Sequence, residues 1–152
     1  MARPVLSPVR APQHRLEYYA QHFNTLEVNS TYYHLPALPS VYGMLRKVPE
    51  DFDFFVKGHR DLTHGTRKNA AGTLSKFTVM LDPYREAGKL AGVRLQFPAT
   101  FEHSPKNEDY LRWAVESLTS RVVVEFRHSR WINDKTMYAN WAPGTASSIC
   151  RR

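Results

Sequence analysis

Cysteine is almost missing from this chain: among 152 residues only Cys150 carries a thiol. One thiol closes no intrachain disulfide and builds no cysteine-ligated metal cluster, which fits a reducing, cytoplasmic setting. Long apolar runs are missing as well. No stretch of about 18 apolar residues occurs and no basic-then-apolar leader opens the sequence, so neither a membrane span nor a secretory signal is expected. The phosphate- and nucleophile-bearing signatures GxGxxG, GxxxxGK[ST] and GxSxG do not occur, and no compact HExxH spacing supports a metal site. There is no low-complexity tract and no linker long enough to divide domains.

What is present is ordinary globular material. Hydrophobic residues make up 42% and charged residues 23%, enough for one domain with a core. The net charge of +7 favours anionic partners such as nucleic acid or phosphorylated metabolites.

The chain alternates between two periodicities. "FNTLEVNSTYY" (23–33), "FDFFVKGH" (52–59), "GVRLQFP" (92–98) and "RVVVEFRH" (121–128) are short, β-branched or aromatic, and bounded by Gly, Pro or charge, as strands are. Between them "HRLEYYAQHF", "PSVYGMLRKV", "LSKFTVMLDPYREAGKL" and "NEDYLRWAVESL" read as helices. Asn107 or Ser104 can cap the last, and Pro83 is expected to break or kink the third. Strands alternating with helices predict right-handed crossovers and a parallel sheet.

The strands share a second pattern. Side chains alternate between the two faces of a strand, so Val123, Glu125 and Arg127 share one face while Val122, Val124 and Phe126 share the other. The same reading places Glu27 with Asn29, Lys57 with His59, and Arg94 with Gln96 near the C-terminal ends of the other three. If the strands lie parallel, those polar groups meet on one rim above an apolar sheet, the arrangement of an α/β active site. The rival reading makes Glu27, Lys57, Glu125 and Arg127 paired structural ions that plug the end of the sheet. His14, His22, His34 and His103 read as surface or packing residues, whereas His59, His64 and His128 follow strands. Glu27, His59, Glu125 and His128 offer suitable metal donors, but with no compact spacing behind them no metal site is assigned. Trp113, Trp131 and Trp141 read as packing residues, Trp131 being placed to wall a pocket.

"YYAQHFNTLEVNSTYYHLP", "VPEDFDFFVKGHRDLTH", "LQFPATF" and "VVVEFRHSRW" together resemble, in order, the YecE-like proteins, also called the domain of unknown function seventy-two family. The resemblance covers roughly residues 15–141 and implies a TIM-type (β/α) barrel. Its rim here would hold Glu27, Asn29, Lys57, Thr63, His64, Gln96, Glu125, Arg127 and His128. It implies no particular reaction and no cofactor. Two segments depart from the family pattern. "MARPVLSPVRAP" stands where a Gly-x-Ser-Gly-Trp-like strand is expected, and "APGTASSICRR" lacks periodicity. Residues 1–14 and 142–152 are therefore expected to be irregular, flanking a partial barrel of about units two to five, since a complete one takes about 250 residues. A sheet cut in this way leaves open edges, and self-association is expected if it is truncated.

Two functional classes follow, beside that of an inactive fragment. One is an enzyme acting on an anionic small molecule or nucleic-acid phosphate, with Glu27 or Glu125 as general acid or base and Asn29, Lys57, His64, Gln96, Arg127 and His128 holding the ligand. The other is a non-catalytic protein using the same rim as an anion pocket.

Overall fold

The computed structural model describes residues 14–133 and 146–150, with side chains described for 14–131. The order is α1 (Arg15–Ala20), β1 (Thr25–Val28), a 3₁₀ turn (Ser30–Tyr32), α2 (Leu38–Leu45), β2 (Asp53–Lys57), α3 (Arg60–His64), α4 (Arg67–Glu86), β3 (Leu90–Phe97), α5 (Pro105–Glu116), β4 (Val122–Phe126), α6 (Arg130–Asn133) and β5 (Ala146–Cys150). The strands form one sheet in the order β1-β2-β3-β4-β5, every neighbouring pair parallel. The fold is α/β with an open parallel sheet.

Period-2 alternation sorts the strand residues as their chemistry requires. Val28, Phe54, Val56, Val93, Leu95, Phe97, Val122, Val124 and Phe126 are buried on one face. They join a single core with Val41 and Leu45 of α2, Leu74, Phe77, Met80 and Leu81 of α4, and Leu111, Ala114 and Val115 of α5. Each large apolar side chain so covered contributes about 1.5–3 kcal/mol, and this term holds the helices to the sheet. The opposite face carries Glu27, Phe55, Lys57, Arg94, Gln96 and Val123, all half-buried, and the buried Glu125. Phe55 lies opposite Gly92, where a Cβ would stand 3.0 Å from the Arg121 carbonyl and 3.1 Å from the Phe55 ring, so a larger residue would crowd both.

The helix ends follow local chemistry. Ser104 caps α5 by accepting from the Asn107 N–H at 3.3 Å, and Thr66 caps α4 by accepting from Asn69 N–H at 3.4 Å. At the far end of α4, Lys89 N–H donates to the Tyr84 carbonyl at 2.8 Å and Gly88 N–H to that of Arg85 at 2.9 Å, the paired bonds of a Schellman motif. Gly88 takes φ +66°, the left-handed conformation this motif demands.

Three expectations are corrected. Helix α4 does not break at Pro83 but runs on to Glu86, and it begins at Arg67, earlier than its apolar periodicity announces. Pro83 lies in the penultimate turn, where the missing N–H costs one bond near the terminus, and its ring is buried in the core. The segment "RDLTH", which the strand and helix patterns leave unassigned, forms the short α3. In the C-terminal stretch expected to be irregular, Ala146–Cys150 pairs with β4 as a fifth strand. An open parallel edge supplies donors and acceptors that even a sparse apolar segment can use. Residues 1–13, 134–145 and 151–152, including Trp141, lie outside the described residues.

The α4 terminus yields a stability test. A Cβ at position 88 meets nothing within 4 Å, so Gly88→Ala isolates backbone strain from crowding. It should lower stability by about 1 kcal/mol in urea unfolding. No loss would show that the left-handed residue is not required.

Candidate functional site

Parallel pairing aligns the C-terminal strand ends, with Glu27 opposite Phe55, Lys57 opposite Arg94, and Gln96 opposite Glu125. The central side chain is Arg94 of β3. Its Nη1 donates to both oxygens of Glu27, at 2.6 and 2.8 Å, and its Nη2 donates to Oε2 of Glu125. Gln96 Nε2 donates to the remaining oxygen of Glu125 at 2.7 Å. One guanidinium thus spans from β1 to β4 and satisfies two carboxylates.

The electrostatics follow from that geometry. Burial alone would push the Glu125 carboxyl up, but hydrogen bonds from Arg94 and Gln96, with the charges of Arg94 and Arg127, hold it below its ordinary value of 4.5. The hydrogen bond to Glu27 pushes Arg94 up against its own desolvation, and Glu125 adds to the rise. Glu125 is therefore ionised, 3% exposed, with both oxygens engaged. Two carboxylates against one guanidinium leave one negative charge, facing Lys57 and Arg127, neither of which forms an ion pair among the described residues. Lys57 places its Nζ 4.8 Å from the Tyr32 ring centroid.

Beside this network lies a small cavity of about 150 Å³, lined by Tyr32, His64, Gln96, Phe97, Pro98, Ala99 and Arg127. His64 Nδ1 lies 2.8 Å from the Thr63 hydroxyl and 3.5 Å from that of Tyr32. Desolvation, then Arg60, Arg127 and Lys57, hold its pKa below the ordinary 6.5. Tyr32 is kept in place by the residue before it. The buried Thr31 hydroxyl lies 2.6 Å from the Lys57 carbonyl and 2.9 Å from that of Val28, joining the ends of β1 and β2.

Of the residues singled out from sequence, Glu27, Gln96 and Glu125 meet through Arg94, while His64, Gln96 and Arg127 line the cavity and Lys57 lies against its Tyr32 wall. Asn29 is exposed at the start of the 3₁₀ turn and lines neither feature. His59 and His128 serve a different purpose: their Nδ1 atoms accept the Asp61 and Arg130 N–H groups, each at 3.2 Å, at the starts of α3 and α6. Both imidazoles thus cap helices. Among the described residues no group of His, Cys, Asp and Glu side chains is arranged to hold a metal, and no helix is long and apolar enough to cross a membrane. Trp131 is fully buried, stacked on Phe126 at 4.4 Å and Phe101 at 5.3 Å, with Nε1 donating to the Phe101 carbonyl at 2.6 Å.

Two members of the site were not singled out. Arg94 stood in the strand pattern, but nothing local marked it as the partner of residues 67 and 31 positions away. Tyr32 read as the tail of a strand.

Arg94→Ala leaves two carboxylates facing each other without their shared cation and should cost roughly 3–5 kcal/mol. Glu125→Gln leaves Arg94 paired with Glu27 and should cost only about 1–3 kcal/mol. Because the folded pKa of Glu125 is depressed, its contribution is present above pH 4.5 and fades as pH falls through the lower folded value. Glu125→Gln should therefore show a weaker acid loss in pH-dependent urea melts, and equal acid slopes would refute the assignment.

The family model described as Protein of unknown function DUF72 matches residues 4–142. The UPF0759 protein YunF of Bacillus subtilis is 28% identical over 96% of this chain and 55% of its own length, and UPF0759 protein YecE of Escherichia coli is 30% identical over 76% and 42%. The chain thus spans about half the length of the curated relatives it matches. Among solved structures, a DUF72 family protein of Thermotoga maritima superposes with TM-score 0.76 at 35% identity, covering 88% of this chain and 53% of that one. A second, from Enterococcus faecalis, gives TM-score 0.75 at 24% identity over 82% and 53%. On the matched residues and the shared fold, the chain belongs to the DUF72 family.

Proposed function

We propose that the described strands are consecutive units of a (β/α) barrel and that their rim recognises an anionic group, held by Arg127, Lys57, His64 and Tyr32. Helices packed on one sheet face, polar residues on the other and strands ordered as in sequence support the barrel, because a doubly wound sheet carries helices on both faces. The anion reading rests on one observation: Arg94 satisfies Glu27 and Glu125 together, so that among the described residues Lys57 and Arg127 form no ion pair, Arg127 lining a cavity with hydroxyl and imidazole groups and Lys57 lying against its Tyr32 ring. About 150 Å³ corresponds to roughly five waters at bulk density, enough for a phosphoryl or carboxylate group.

In this reading Glu125 is a positioning residue. A carboxylate with both oxygens bonded and a lowered pKa is a weak proton acceptor, so the geometry favours anion recognition over proton transfer by Glu125. A second reading, catalysis on an anionic small molecule or nucleic-acid phosphate, is supported by His64. Its depressed pKa keeps the imidazole neutral at neutral pH, able to accept a proton at the edge of the anion pocket.

Isothermal titration with inorganic phosphate tests the first reading. Arg127→Ala removes a charge-assisted contact and should weaken binding by roughly 10–100-fold, while Glu125→Gln should change it by less than about threefold. Undiminished binding by Arg127→Ala would reject the pocket. Sulfate, whose charge is constant near neutrality, gives the pH arm. An anion favours protonated His64, so sulfate affinity should rise as pH falls below 6.5, and His64→Ala should flatten that rise. Turnover of a phosphate ester, abolished in His64→Ala, would establish the catalytic reading.

A further inference from the structure

A second, larger cavity of about 650 Å³ opens next to the rim, lined by Thr63, Gly65, Thr66, Arg67, Phe101, Lys106, Asn107, Asp109 and Tyr110. The loop joining α3 to α4 and the start of α5 form its two sides. Its size lies within the range that holds a small organic molecule.

The two cavities are neighbours through paired residues. Thr63 lines the large one and His64 the small one, with the Thr63 hydroxyl 2.8 Å from His64 Nδ1. Across from them Phe101 lines the large cavity and Phe97 the small one, with rings stacked at 4.3 Å. The two cavities therefore adjoin along these residue pairs, where His64 is exposed.

The walls state what kind of body fits. Phe101 and Tyr110 offer ring edges, because both faces of Phe101 are covered by Phe97 and Trp131, and the Tyr110 hydroxyl donates to the Leu62 carbonyl at 2.9 Å. Arg67 lies over the Trp113 ring at 4.8 Å, which covers that indole, and Trp131 is fully buried. Lys106 and Arg67 outnumber Asp109, so the far end of the body meets a modest positive field.

Resting on the anion-pocket reading, we propose that the ligand is a small organic phosphate, with its phosphoryl group in the rim pocket and its organic body in the adjoining 650 Å³ cavity. The rim supplies Arg127, Tyr32 and His64 from separate elements, which suits an oxyanion with several terminal oxygens. The larger cavity supplies apolar contact and selects for size.

The experiment compares inorganic phosphate with phenyl phosphate by titration calorimetry on the full chain. Phenyl phosphate should bind at least tenfold more tightly. Asp109→Trp and Lys106→Trp both fill the larger cavity with an indole while changing charge in opposite directions. Each should bring phenyl phosphate down to the affinity of inorganic phosphate, with the latter little changed and far-ultraviolet circular dichroism confirming the fold. Phosphate binding without any gain from the phenyl group, or a gain that survives both substitutions, overturns the two-cavity proposal while leaving the rim pocket intact. Absence of phosphate binding in the unaltered chain removes the rim reading itself and the proposal with it.

Discussion

The polar face of this sheet depends on the Arg94 guanidinium, which a parallel α/β fold could not place there unaccompanied. A cation half-withdrawn from water is costly, and so is each carboxylate beside it. Held together, with Gln96 closing the last acceptor of Glu125, the four side chains satisfy one another across β1, β3 and β4. The arrangement also fixes the charge of everything near it. Glu125 stays ionised and Arg94 stays occupied, while the charge of Arg127 helps hold Glu125 in that state without forming an ion pair among the described residues.

The network and its neighbours differ in what surrounds them. Charged residues at the end of a sheet can be structural ions or ligand groups, and in the proposed function the split runs through the cluster itself. Glu27, Arg94 and Glu125 form the structural part. Tyr32, His64 and Arg127 surround space, with Lys57 against the Tyr32 ring.

Much of the fold was legible in sequence because its signals are local. Alternation in "VVVEF" separates Val124 and Phe126 from Val123 and Glu125, and pairing with Val93, Leu95 and Phe97 places the apolar set under the helices. The parallel direction follows from the intervening helices. Ser104 announces the start of α5 in the same local way. Pairings between distant side chains were not legible. Periodicity places Glu125 on the polar face, but only the assembled register shows that its partner is Arg94 rather than Arg127 or Lys57. His59 and His128 mislead for a related reason: a histidine after a strand can face the rim or turn back to cap the next helix, and both turn back. The strand at Ala146–Cys150 owes its place to an available edge more than to its own composition.

The Thr31 hydroxyl carries one proton and sits between two carbonyls, those of Val28 and Lys57. The hydroxyl connects the last residues of β1 and β2 from a buried position in the turn that also presents Tyr32. Because that turn is already immobilised when the chain folds, the Tyr32 ring and the Lys57 head above it surrender little conformational freedom when the neighbouring space is filled. The entropy of ordering this corner of the rim belongs to folding, so affinity there is limited by charge and shape rather than by the cost of assembling the site.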